Sequence, residues 1–120
     1  MSRKHGLQVL PADIIQQVSF ISPPREYLSN SELFYEGQVP MASFLIISGK
    51  VKFLKRNKQV GEAEAGCMIG LHEMLNNIPL GVTALIEKNS KVCILDKSTA
   101  LEILYGDNDA IKREFQKLVG

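Results

Sequence analysis

The side chains and backbone groups best placed to do chemistry lie in the segment Ile69 to Ala84, Ile-Gly-Leu-His-Glu-Met-Leu-Asn-Asn-Ile-Pro-Leu-Gly-Val-Thr-Ala. A short helix is expected from Leu71 to Asn76, and N–H groups at its start, together with those around Gly81 and Val82, can form a nest for an anion. Thr83 adds a hydroxyl. Leu71 and Leu80, beside these groups, are apolar. Glu73, two positions after Leu71, is turned about 200° away on a helix and is expected to face solvent. His72 has an imidazole that can carry positive charge, although a structural or surface histidine is the plainer reading.

A second cluster is the stretch Lys50-Val51-Lys52-Phe53-Leu54-Lys55-Arg56-Asn57-Lys58, with five positive charges in nine residues. Strand alternation places Lys50 and Lys52 on one face and gathers Lys55, Arg56 and Lys58 at a hairpin tip. Such charges protect a sheet edge from aggregation, and they also suit docking to an acidic protein surface. No aromatic stacking platform accompanies them, so nucleic acid is not the expected partner.

Enzymatic chemistry finds no support. The chain has two histidines and no Gly-x-Ser-x-Gly elbow, no His-Glu-x-x-His and no Walker-type phosphate loop. Cys67 and Cys93 lack metal-ligand spacing and sit among apolar neighbours, so they read as buried reduced thiols rather than a disulfide or a metal site. No cofactor is expected.

These residues need a frame. Ile14, Ile15, Val18 and Ile21 fall at helical spacing from Pro11 onward, with Gln16 and Gln17 opposite, and Pro23-Pro24 ends that helix. A strand is expected over Glu32 to Glu36. The apolar run Ala42 to Ser48 suits a strand buried on both faces, Gly49 makes a turn, and Lys50 to Phe53 alternates like a strand with one wet face. Asn57-Lys58 closes a hairpin onto Gln59 to Ala63. Val82 to Glu87 and Lys91 to Leu95 read as a further hairpin around Asn89-Ser90. Two helices follow. The first is capped by Asp96 or Ser98, with a capping box from Thr99 to Glu102, apolar residues Leu101, Ile103 and Leu104, and a stop at Gly106. The last is capped within Asp107 to Asp109 and carries the stripe Ile111, Phe115, Leu118 and Val119.

With 120 residues, 45% hydrophobic and 22% charged, the chain is long enough for one self-supporting domain. A net charge of +1 supplies no global field to draw it to nucleic acid or to a membrane. The basic N-terminus is followed by Pro11 and Asp13 rather than a long apolar core, and no apolar run is long enough to span a bilayer. The expected location is cytoplasmic.

The segment from Ile69 also resembles the phosphate-binding cassette of cyclic-nucleotide-binding-like domains, roughly Phe-Gly-Glu-x-x-x-Leu-x-x-x-Pro-Arg-x-Ala-Thr. Gly70, Leu75, Pro79 and Thr83 match without a gap. Leu71 stands at the Glu that meets the ribose in that family, and Leu80 at the Arg that meets the cyclic phosphate. Phe34 to Gln38 resembles the family's lead-in to its barrel, Phe44 to Val51 its Tyr-x-Ile-x-x-Gly-x-Val hairpin, and Lys91 to Lys97 its last strand and Asp-capped helix. The resemblance implies a mainly β double-stranded β-helix, or jelly-roll barrel, with flanking helices. Within one domain, residues 1–30 are expected to form an N-terminal helical segment, 31–96 the jelly roll and 97–120 the C-terminal helices.

Loss of a charge-assisted pair such as the Arg and phosphate costs about 3 kcal/mol, roughly two orders of magnitude in affinity. The resemblance therefore implies a signalling or scaffolding module, of the kind found in bacterial regulators, that has lost cAMP and cGMP. The expected pocket is collapsed around Leu71 and Leu80 as extra core. A sensor holding a cyclic nucleotide, cyclic dinucleotide or other anion through backbone groups is the alternative. In the family the last helix is a lid or a subunit contact, so Ile111, Phe115, Leu118 and Val119 serve either the core or a homodimer. With no DNA reader after that helix, output is expected through a protein partner or self-association.

Overall fold

The computed structural model describes residues 8–119; the basic residues Arg3 to His5 and Gly120 lie outside these. The chain forms α1 (Ala12–Ile21), β1 (Arg25–Glu26), β2 (Ser31–Phe34), β3 (Ala42–Ser48), β4 (Lys50–Lys55), β5 (Lys58–Glu64), β6 (Met68–Ile69), α2 (Leu71–Asn76), β7 (Thr83–Ile86), β8 (Lys91–Asp96), α3 (Lys97–Leu104) and α4 (Asp109–Val119). The strands make two antiparallel four-stranded sheets, ordered β1-β8-β3-β6 and β2-β7-β4-β5. This is the jelly roll the sequence implies, as two facing sheets rather than a closed barrel.

The first sheet is the middle layer of three. One of its faces meets the second sheet through Phe44, Ile46, Ile69 and Val92, against Phe34, Val51, Phe53, Ala84 and Ile86. The other face carries Leu45, Met68, Cys93 and Leu95 beneath the helices. Strand β3 is therefore buried on both sides, which is why its sequence is a continuous apolar run rather than an alternation. Burial also pushes both cysteine thiols up from their ordinary pKa, and neither is in a disulfide.

Two expected hairpins are sheet crossings instead. Strands β3 and β8 lie in one sheet while β4 and β7 lie in the other, so the chain changes layer both at Gly49 and at Asn89-Ser90. The two corners pack together. Lys50 donates its N–H to Ser90 Oγ at 3.1 Å, and a Cβ on Gly49, whose φ is +92°, would strike that hydroxyl. Local alternation is the same for a hairpin and for a crossing; only the pairing partners differ. The hairpin that does form is β4–β5, turning at Arg56 and Asn57 with φ of 52° and 66°.

The short β1 and β6 give little sequence signal. Since β1 pairs with β8, the segment expected to be helical to residue 30 already contains a strand. Asp96 accepts the Thr99 N–H at 2.8 Å and caps α3, which makes Thr99 part of the first turn and leaves the expected Thr99–Glu102 box no role. Asn108 Oδ1 accepts from the N–H groups of Ala110 and Ile111 and starts α4. Ile111, Phe115 and Leu118 are buried against α1, α2 and α3, with Val119 packed beside them. The stripe packs into this chain's own core.

Candidate functional site

The cassette begins at Gly70, which takes φ +84° as it leaves β6 and N-caps α2. A left-handed backbone is open to glycine at little cost, and a Cβ here would come within 3.1 Å of the Phe34 ring. Gly70 is thus required by the fold itself.

The helix that follows turns Leu71 away from the space between the sheets. Leu71 is 0% exposed in the cluster beneath the helices, whereas Leu80 is 5% exposed in the inter-sheet core. The structure does not bring the two leucines into one pocket. Each is core, on opposite sides of the middle sheet.

Leu80 is also held at its backbone. Its N–H donates to Gln38 O at 2.9 Å and its carbonyl accepts from Gly37 N at 2.7 Å. At the start of β7, Thr83 Oγ1 accepts the Glu36 N–H at 2.9 Å, and the Glu36 carboxylate accepts the Arg56 N–H at 3.2 Å. The loop of residues 35–38 therefore links the end of the cassette to the β4–β5 tip. Sequence reasoning did not find Glu36 in this role, although its place beside Gly37 in the lead-in motif was the available signal. Gly81 is exposed and Val82 half-buried next to this linkage.

His72 and Glu73 are half-buried. His72 Nδ1 lies 2.6 Å from the carbonyl of Val119, which can only accept, so the imidazole donates there. Asn76 Nδ2 donates to His72 O at 2.8 Å. These contacts fasten α2 to the end of α4, which gives His72 a structural part.

The basic stretch divides in two. Lys50 pairs with Glu62 at 3.5 Å and Lys52 with Glu87 at 3.2 Å, so the base of the hairpin is neutralised. Lys55, Arg56 and Lys58 are exposed at the tip, and among the described residues none is in an ion pair.

Three surface cavities are defined by residues 13–21 with Asn108, by Ile21 with residues 99–111, and by Val39 to Met41 with Met74, Asn77 and Lys97. None of these three is lined by Leu71, Leu80, Gly81, Val82 or Thr83. Among the described residues no group of His, Cys, Asp or Glu could hold a metal ion, and no helix is long and apolar enough to cross a membrane.

A family model described as the cyclic nucleotide-binding domain matches residues 24–107. No curated protein matches the sequence. Among solved structures, the chain is similar to one from a cyclic-GMP-dependent signalling pathway in bacterial phytopathogenesis, at 14% identity and a TM-score of 0.76, covering 90% of this chain and 89% of that one. A cyclic nucleotide-binding domain from Methylobacillus flagellatus is similar at 15% identity and a TM-score of 0.72, over 92% of this chain and 65% of that one. The Thermus thermophilus catabolite activator protein is similar at 17% identity and a TM-score of 0.68, over 89% of this chain but 52% of its own, so the chain spans about half its length. At these identities the likeness is one of fold.

Proposed function

The chain belongs to the cyclic nucleotide-binding domain family, and from that premise we propose that it is a regulatory, non-catalytic module that has lost cAMP and cGMP binding and works through contacts with another protein. The observation that carries this reading is Leu80. Where a cyclic phosphate would need a guanidinium, an isobutyl group is packed into the inter-sheet core, and both backbone groups of the same residue are bonded to the 37–38 turn. An anion placed there would have to displace apolar contacts and would meet no counter-charge. The Thr83 hydroxyl, already accepting from Glu36, adds to the argument.

The test is titration calorimetry of the chain with cAMP and with cGMP. The expected outcome is no binding heat; a Kd at or below about 10 μM for either, near −7 kcal/mol, overturns the reading. The unpaired cations of the β4–β5 tip, Lys55, Arg56 and Lys58, are the proposed contact for an acidic partner surface. One observation favours a sensor as the second reading: α2 has no side-chain cap, so the N–H groups of its first turn are not taken by a capping residue. A thermal-shift series with cyclic mono- and dinucleotides separates the two, since a ligand at a hundred times its Kd raises stability by about 2.7 kcal/mol.

A further inference from the structure

A different surface is open and has no motif in the sequence. The end of α1 lies beside the turn between α3 and α4, and two depressions of about 290 Å3 and about 410 Å3 meet there along Ile21 and Asn108. Asn108 Nδ2 donates to Gln17 Oε1 at 2.8 Å, tying α1 to the turn beneath them. The floor is apolar, because Ile103 and Ile111 are buried core residues whose outer edges line the smaller depression with Ile21. Phe20 lines the larger depression with 90% exposure, and Tyr105, in the adjoining turn, is 82% exposed. Aromatic and aliphatic groups left in water at this density mark contact surfaces more often than a single exposed residue does.

The charged side chains that line the two depressions have one sign. Asp13, Glu102 and Asp107 line the depressions. Among the described residues none of the three is in an ion pair, although Glu62, Glu87 and Glu114 elsewhere all are. A cation, Lys112, has its Nζ 3.4 Å from the carbonyl of Gly106, at the C-terminal end of α3, where helix carbonyls favour positive charge.

We propose that this groove is a docking site for a cationic amphipathic segment of a partner protein. Leucine-like or aromatic side chains of the segment enter the two depressions beside Phe20 and Ile21, and its lysines or arginines meet Asp13, Glu102 and Asp107. A second copy of this chain is the poorer occupant, since a two-fold contact through the groove sets the same carboxylates against one another. An anionic membrane is repelled for the same reason. The proposal is independent of the cassette and holds whether or not a cyclic nucleotide binds there.

The test measures fluorescence anisotropy of a labelled helical peptide of lysine and leucine, with leucines along one face, against the whole chain. Saturable binding that weakens as salt rises is expected. A control peptide with glutamate in place of every lysine is not expected to bind. Asp13→Asn with Glu102→Gln and Asp107→Asn is expected to weaken binding about tenfold, as the loss of three rim charges. Phe20→Ala, at a position too exposed to carry the fold, is expected to weaken it by a similar factor. Absence of saturable binding, equal binding of the glutamate peptide, or binding retained by both the neutralised and the Phe20→Ala proteins overturns the proposal. So does a doubling of the free protein's mass in solution that Phe20→Ala abolishes.

Discussion

At the cassette the chain carries the spacing of a ligand site and fills it with its own side chains, while between α1 and the α3–α4 turn it carries no motif and leaves an apolar floor uncovered. The difference teaches what a motif records. Gly70 is needed for a φ of +84° beside Phe34, and Thr83 holds the Glu36 N–H. Those positions serve the fold, so they persist without any ligand. Leu71 and Leu80 carry no such backbone duty in their side chains, and there the residue types differ from the Glu and Arg of the family's cassette. Openness, in contrast, depends on which surfaces the helices leave uncovered, and that is decided by packing.

The largest expected effect comes from forcing the sealed region to open. Leu80→Arg inserts an unpaired guanidinium among Phe34, Phe44 and their neighbours, and is expected to lower stability on the order of 4 kcal/mol. Chemical denaturation reads this directly. A midpoint equal to the parent's would mean the cassette is as open as the groove and would erase the contrast. Adding Leu71→Glu is not expected to restore cyclic-nucleotide binding, because Leu71 is buried on the far side of the middle sheet.

A smaller effect belongs to the groove. Asn108→Ala removes the acceptor for the Ala110 and Ile111 N–H groups and the bridge to Gln17, with an expected loss of about 1 kcal/mol. If hydrogen exchange in the first turn of α4 is unchanged by the substitution, the α1–α4 junction is held by its buried isoleucines alone. The smallest effect lies at the start of α3. The Thr99 N–H bond holds the Asp96 carboxyl below the usual carboxylate range. A lowered folded-state pKa adds stability that is full above the unfolded-state value and is lost as pH falls through the folded-state one. Asp96→Asn is therefore expected to remove a small, acid-sensitive part of stability and to leave behaviour at lower pH like the parent's; thermal melts across the acid range check the sign.

Much of this molecule is written locally. The positions of Ile14, Val18 and the two prolines mark α1, the unbroken apolar run marks β3 as a doubly buried strand, and Asp96 and Asn108 mark the starts of α3 and α4. Helical period, strand burial and capping each depend on residues within a turn or so of one another, so the chain alone determines them. That Leu71 and Leu80 stand where the cassette of the family has Glu and Arg is legible by laying the segment over that motif.

Only the tertiary structure decided where those residues stand relative to one another. That Gly49 and Ser90 are stacked sheet crossings, that Leu71 and Leu80 lie on opposite faces of one sheet, that Glu36 ties Thr83 to the hairpin tip, and that the α4 stripe is core all depend on contacts between residues distant in sequence. Alternation and helical period state that a face is apolar without saying what covers it. Phe20 shows both halves: it falls off the Ile14–Val18 stripe of its helix, in keeping with its 90% exposure, whereas its place in one depression with Asn108 of the α3–α4 turn depends on how the helices pack.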